Sequence, residues 1–319
     1  MASIEDAARR KRAALRALLA RPALTVMPGG FSPLYARMAQ EIGFESFFLA
    51  GSQMAAFLLG VPDTGIIGLR DVADHARHVA ARTEIPILVD ADTGFGNAVN
   101  VHFTVGELVR SGVAGLQLED QEAPKKSGTS AGRRCISTAE AVGKIRAAVA
   151  ARDALDPAFV ICARCDAIGA ENADDADVVA RCVAYARDGG ADLVWANSVQ
   201  SREQLARIVA AVPVPVMTIW GGAAPAPTAD EYQRLGLRIV LYPVIAATAG
   251  MQASWEVLND LKQRGSVALD DWNARSAQSP WGRARTANFV DGAIVAEIER
   301  AYLPPEAQRD YDNTWGHTT

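Results

Sequence analysis

Short apolar runs alternate with amphipathic stretches along most of the chain. The runs are Leu24–Met27, Ser46–Ala50, Ile85–Asp90, Gly115–Glu119, Phe159–Arg164, Leu193–Ala196, Val214–Ile219 and Arg238–Tyr242. Several hold consecutive β-branched or aromatic residues with no polar alternation, the mark of strands covered on both faces. Between them lie stretches with helical spacing, among them Val101–Ser111, Ser137–Arg152, Asp174–Asp188 and Ser201–Ala211. Ser137 with Glu140, and Ser201 with Gln204, match the capping-box pattern that starts a helix. Eight strand–helix units predict a parallel sheet closed into a (β/α)8 TIM-type barrel, with a doubly wound open sheet as the alternative.

After Gln263 no further strand is expected. The pattern therefore divides into a barrel over residues 1–263 and a helical extension with a polar tail over 264–319, whose main run is Ala287–Tyr302. That run suits a cap on the barrel or packing against another subunit. Met1–Arg21 carries Glu5 and Asp6 and has no apolar centre, so it reads as a first helix rather than a secretory leader. With no run of about 18 apolar residues, no membrane span is predicted, and a cytoplasmic location follows as the expectation.

Composition narrows the function classes. The 319 residues are 50% hydrophobic, ample for a large core, and the net charge is −5. The one dense basic run, Arg9-Arg-Lys-Arg12, is short and sits in the first helix, which argues against a nucleic-acid surface. Cys162 and Cys165 lie three apart within strand five, on opposite faces, and read as structural rather than as a redox pair.

In such barrels chemistry gathers at the carboxyl ends of the strands. Strand three ends Asp90-Ala-Asp92, which sets two acids on one face, and Gly94 and Gly96 follow, where a tight turn can approach a ligand. Strand four ends Glu119-Asp120, and Asp63 lies in a loop after the second unit. Taken singly, Asp92 could cap a helix and Glu119 could be a solvated loop acid. Together, converging carboxylates repel unless a cation neutralises them, and an all-oxygen set favours Mg2+ or Mn2+ over Zn2+. Arg164, set among apolar residues in strand five, offers a planar fork for a carboxylate; the alternative is an internal ion pair with Asp166 or Glu119. Trp195 and Trp220 fall near strand ends, where they either narrow the pocket or pack beneath the rim. His75 and His78 have no third ligand nearby and read as a solvated helix face.

These segments resemble the isocitrate lyase/phosphoenolpyruvate mutase superfamily from about Met27 to Leu258. The carriers are Leu49-Ala-Gly-Ser52, Val61-Pro-Asp63, Asp90-Ala-Asp-Thr-Gly-Phe-Gly-Asn97, Gly112–Gln121 and Ala163-Arg-Cys-Asp166. The resemblance implies a Mg2+ ion contacted by Asp90, with Asp63, Asp92 and Glu119 holding it directly or through water. It implies a substrate carboxylate held around Ala50, Gly51 and Ser52 together with Arg164, and further substrate contacts from Asn197 and Trp220. It implies a metal-stabilised enolate of a small 2-oxo or 2-hydroxy acid, and a homotetramer that exchanges C-terminal helices between subunits.

Departures from the methylisocitrate lyase-like pattern bear on the reaction. Those lyases carry Lys-Arg-Cys-Gly-His in a mobile loop, where this chain has Lys125-Lys-Ser-Gly-Thr129; Ser127, with Lys125 and Arg164, becomes the catalytic candidate. A hydroxyl is a far weaker acid than a thiol, whose ordinary pKa is about 8.5. The lyase tyrosine before the Ser-Gly turn is Phe48, and the lyase glutamate after strand six is Asn197. Such a set favours chemistry that asks little of the protein, and oxaloacetate-type decarboxylation is the leading expectation. Val244, where the decarboxylase branch has a histidine, counts against oxaloacetate itself. Cleavage of a bulkier 2-hydroxy acid and carbon–phosphorus chemistry are the alternatives, the latter favoured by Lys125 and Lys126. A non-catalytic barrel that only binds a 2-oxo acid is the third reading.

Overall fold

The computed structural model describes residues 4–220, 225–278, 290, 294–311 and 313–314. Eight parallel strands close into a barrel in chain order: β1 Thr25–Gly30, β2 Phe47–Leu49, β3 Ile87–Asp90, β4 Gly115–Glu119, β5 Val160–Cys165, β6 Leu193–Ala196, β7 Val216–Ile219 and β8 Ile239–Tyr242. β1 pairs with β8 through Thr25↔Ile239 to Pro28↔Tyr242, which seals the sheet and excludes the open alternative. All eight runs found in the sequence are strands; β4 and β6 coincide with their runs and the other six are trimmed or shifted by one to a few residues. Side chains alternate between two cores, as the period of two requires. Cys162 packs inside the barrel with Leu88, Leu193 and Met217, while Cys165 faces the helical layer with Ala163 and Cys182; all four cysteines are free.

The helical layer comprises α1 Ile4–Ala20, α2 Pro33–Ile42, α3 Gly51–Met54, α4 Leu69–Ala80, α5 Ala98–Arg110, α6 Thr138–Leu155, α7 Asp175–Arg187, α8 Arg202–Ala211 and α9 Ala229–Arg234. Ser137 and Ser201 do cap α6 and α8, accepting from the amides of Glu140 and Gln204. The reciprocal half of a capping box is missing: the Gln204 side chain accepts from Gln200 instead. A π-helical turn, Ala55–Leu59, follows α3 and was not foreseen.

Helix α1 explains the basic run. Leu15, Leu18 and Leu19 sit in the barrel's interior cluster. Arg12 donates to the carbonyls of Val113 and Val109 and to Asp156 at 2.5 Å, and Lys11 donates to the Ala80 carbonyl. Lys11 and Arg12 thus cap backbone carbonyls, while Arg9 and Arg10 of the run are exposed.

The chain separates into two compact units, Met1–Ala247 and Thr248–Thr319, with the division near the start of a long helix, α10 Ile245–Arg264. The second unit continues with α11 Ser266–Ala277 and α12 Ile294–Tyr302. Of the helix expected over Ala287–Tyr302, the part before residue 294 lies outside the described residues except Val290, as do Gly221, Gly222 and residues 315–319 of the tail. Among the described residues no helix is long and apolar enough to cross a membrane.

Candidate active site

Strand register builds the site. Asp90 on β3 lies opposite Gln117 on β4, Glu119 on β4 opposite Arg164 on β5, and Arg164 opposite Trp195 on β6. The carboxyl ends of four neighbouring strands thus bring acids, a guanidinium and an indole to one level. Asp90, Asp92, Glu119, Arg164, Asp166, Asn197 and Lys125 are all buried.

The acids occupy distinct positions. Asp90 accepts from the Gly51 amide through Oδ2 and from the Asp92 amide through Oδ1, both at 3.1 Å. Gln117, with its amide nitrogen toward Asp90, donates to Oδ1 at 3.1 Å. Asp92 holds a left-handed backbone, φ 46°, uncommon for a residue with a Cβ and frequent at functional turns. Asp92 is not a helix cap, because Asn97 caps α5 by accepting from the Val99 amide. Nor is Glu119 solvated; it is 2% exposed. The turn glycines hold positive φ, 83° at Gly94 and 149° at Gly96, and have no room for a side chain: a Cβ at Gly94 would meet Val101 at 2.5 Å and Leu118 at 2.7 Å, and one at Gly96 would strike Asn100.

Lys125 reaches this cluster from the loop after β4. Its ammonium bonds to Asp63 and lies 2.9 Å from Asp92 Oδ1. Burial would lower the Lys125 pKa, but Glu119, Asp92, Asp90 and Asp63 outweigh it and keep the ammonium protonated. Burial raises Asp90 and carries Glu119 well above the ordinary carboxylate range. Asp92 is pushed up to about 6, first by burial and then by the Asp90 charge. The carboxylates therefore lack positive charge, even with Lys125 and Arg164 beside them.

Arg164 forms the internal pairs that were the alternative to a substrate grip. Nη1 lies 3.1 Å from Glu119 Oε2, and Nη2 donates to Asp166 Oδ1 at 2.9 Å. Its guanidinium also stacks on Trp195, 4.7 Å from the ring centroid. Trp195 is buried against Phe48 inside the barrel, and both Arg164 Nε and Trp195 Nε1 are buried donors with no acceptor. Trp220 is elsewhere in character: 43% exposed and stacked on Tyr242. Ser52 and Ser127 are half-buried and Ala50 is fully buried. His75 is not solvated as expected; it is half-buried and bonds to the Phe31 carbonyl, while His78 is exposed.

Among the described residues no group of three or more His, Cys, Asp or Glu side chains stands ready-made as metal ligands. The donor chemistry nevertheless fits a hard divalent cation. The set is all oxygen, and Asp92 Oδ2 and Glu119 Oε1 are buried without accepting a hydrogen bond, while Asp92 Oδ1 and Glu119 Oε2 face only the Lys125 ammonium and the Arg164 guanidinium. A ligand-poor, charge-deficient acid cluster is what such an ion would complete.

Comparisons with known proteins agree with this geometry. The phosphoenolpyruvate phosphomutase family profile matches residues 15–262. The chain is 42% identical over 299 residues to a probable 2-methylisocitrate lyase 2 of Corynebacterium glutamicum, covering 92% of this chain and 95% of the relative. It is 36% identical over 253 residues to the 2,3-dimethylmalate lyase of Eubacterium barkeri, covering 78% and 86%. Among solved structures, oxaloacetate acetylhydrolase with the inhibitor 3,3-difluorooxalacetate superposes with a TM-score of 0.82 at 31% identity, covering 95% of this chain and 99% of that one. Phosphonopyruvate hydrolase in complex with oxalate and Mg2+ superposes with a TM-score of 0.77 at 28% identity, covering 92% and 99%.

Proposed function

The chain belongs to the phosphoenolpyruvate phosphomutase family, and from that premise we propose that it is a Mg2+-dependent carbon–carbon lyase that cleaves a small 2-hydroxy dicarboxylic acid and releases a 2-oxo acid such as pyruvate. The relatives favour this reading over oxaloacetate decarboxylation, the leading expectation from sequence. The observation that carries it is the all-oxygen cluster of buried Asp90, Asp92 and Glu119 beside Arg164 at the strand ends, with half-buried Asp63 joined to it through Lys125. Those four acids would hold the ion, which when bound would polarise the 2-hydroxyl so that its proton passes to water, the alkoxide becomes the carbonyl of the 2-oxo acid, and the bond's electron pair leaves with the other fragment.

The remaining work falls to the chain's own groups. Arg164 Nε–H and Trp195 Nε1–H, adjacent buried donors without acceptors, suit a substrate carboxylate, with Ala50, Gly51 and Ser52 lining the same end of β2. Lys125 supplies positive charge against Asp63 and Asp92 and, so engaged, faces the acids rather than a leaving phosphonate, which disfavours carbon–phosphorus chemistry. The Ser127 hydroxyl is positioned in the same loop, where it can relay a proton from water to the departing fragment. A homo-oligomer, by resemblance a tetramer, suits the apolar stripes of the second unit: Met251, Trp255 and Leu258 on α10 and Ile294, Ile298 and Tyr302 on α12 are exposed.

A second reading, cleavage of oxaloacetate, rests on Ser127, because a weak acid suits a reaction whose product takes its proton from solvent. Incubation with Mg2+ and 2-methylisocitrate, 2,3-dimethylmalate or oxaloacetate, followed by assay of pyruvate and of the companion acid, decides between them. Pyruvate from a 2-hydroxy acid, with none from oxaloacetate above the uncatalysed rate, supports the proposal. Turnover of oxaloacetate alone favours the second reading, and binding without turnover of any of the three would overturn both.

A further inference from the structure

Three donors converge on one carbonyl of the loop that carries Lys125. The Gly128 oxygen accepts from Asn197 Nδ2 and Ser198 Oγ, each at 2.9 Å, and from Arg133 Nη1 at 2.5 Å. A carbonyl offers two lone pairs, so this oxygen is saturated. Asn197 gives its other amide hydrogen to Asp166 Oδ1 at 2.5 Å, and Asp166 in turn accepts from Arg164. The loop is thereby connected to the guanidinium at the centre of the site.

Gly128 has to be glycine for this approach. A Cβ there would fall inside the Arg164 guanidinium and 2.8 Å from Asn197 Nδ2. Ser198 holds a left-handed backbone, φ 59°, a strained conformation kept only where the surroundings fix it. On the near side of Ser127 a second clasp holds Lys126. Buried Gln121 donates to its carbonyl at 3.0 Å and accepts from its amide at 2.9 Å. Pinned on both sides of Ser127, the loop delivers Lys125 to Asp63 and Asp92.

We propose that Asn197 and Ser198 form a latch that favours the closed position of the loop over residues 122–134, and that Asn197 is a positioning residue for Lys125 and Ser127. The latch requires an amide. A glutamate at this place, as the lyase pattern has, would bring a carboxylate with no hydrogen to the Gly128 carbonyl and to Asp166. The inference concerns the proposed active site, yet its test reads loop opening without any substrate, so it stands or falls whichever acid is cleaved.

The test compares full-length protein, free of substrate, by trypsin nicking after Lys125 and Lys126 and by hydrogen exchange of residues 122–134. Asn197→Asp keeps the shape and removes both N–H donors. It should raise nicking and loop exchange about tenfold, the shift expected from losing one or two net hydrogen bonds, with exchange elsewhere and the melting temperature unchanged. Ser198→Ala should give a smaller local rise of roughly threefold, and Gly128→Ala, which cannot close, should match Asn197→Asp. Unchanged loop exchange in Asn197→Asp, or a rise spread across the barrel, overturns the latch. Should that variant fail to fold, the absence of a local rise in both Ser198→Ala and Gly128→Ala overturns it equally.

Discussion

Replacing Lys125 by methionine is the sharpest perturbation of the site's electrostatics. Lys125 is 4% exposed, its ammonium bonds to Asp63 and lies 2.9 Å from Asp92, and the shape of the side chain is largely kept in the variant. Removing one partner of a buried ion pair costs about 3–5 kcal/mol, because the other charge stays buried. Protonation limits that loss: Asp92, pushed up to about 6 although Lys125 lowers it, rises further without Lys125 and can take up a proton. The expected destabilisation therefore lies near 2–3 kcal/mol, or roughly 3–5 °C in melting temperature for a chain of 319 residues. If the acids are a cation site, Mg2+ should restore more of this loss in Lys125→Met than it adds to the parent protein. Saturating ion at a hundred times its dissociation constant contributes about 2.7 kcal/mol. Thermal melts of both proteins with EDTA and with Mg2+, together with calorimetric Mg2+ titration, read both quantities. A variant that melts at the parent temperature in EDTA, or whose Mg2+ shift equals the parent's, refutes the reasoning.

Asp90→Ala should abolish turnover and weaken Mg2+ binding in calorimetry at least tenfold, whereas Ser127→Ala should lower kcat only mildly; equal losses would make Ser127 indispensable. Leu15→Ala, which empties a fully buried position where α1 meets the barrel interior, should cost about 2–5 kcal/mol in denaturant unfolding while leaving Mg2+ affinity unchanged. For Asp156, burial pushes the carboxyl up, but the Arg12 hydrogen bond and the Ala158 amide win and hold its folded value below the ordinary range. Its stabilising contribution is therefore full above the ordinary carboxylate pKa and lost as pH falls through the folded value, so Asp156→Asn should flatten the acid side of the stability curve below about pH 4.

The barrel was legible because buried parallel strands leave unbroken apolar runs, and β3, β4, β5 and β6 also placed Asp90, Glu119, Arg164 and Trp195 at one level. What the sequence could not convey was how side chains three to seventy residues apart would pair. Nothing local marks Lys125 as a partner of Asp63 and Asp92, because that contact depends on where a loop folds back. Gly128 stood in the Lys125–Thr129 loop motif, but nothing there showed why; its need for glycine arises from Arg164 on β5 and Asn197 just after β6. Gln117 was hidden inside an apolar strand, although a polar residue at a fully buried strand position was itself a signal. Gly94 and Gly96 also answer a packing demand that their turn pattern does not show, because Val101, Leu118 and Asn100 leave no room for a Cβ.

The charges at the strand ends constrain what can enter. Asp63, Asp90, Asp92, Glu119 and Asp166 face two cationic side chains, Lys125 and Arg164, both of which are already engaged by those acids. The Gly51 amide, a natural donor for an incoming carboxylate, is likewise held by Asp90. An anionic substrate approaching this arrangement would meet excess negative charge, with Arg164 Nε and Trp195 Nε1 as the donors left uncommitted. A divalent ion held by the acids would offset the carboxylate charge, and would compete with the Gly51 amide for Asp90. Binding of ion and acid should therefore be strongly ordered, the metal first. Oxalate titrated calorimetrically into protein stripped with EDTA should give no measurable heat, and micromolar binding should emerge only with Mg2+ present. Comparable oxalate affinity with and without the ion would mean that Arg164 releases its acids unaided, and that the acid cluster is not a cation site.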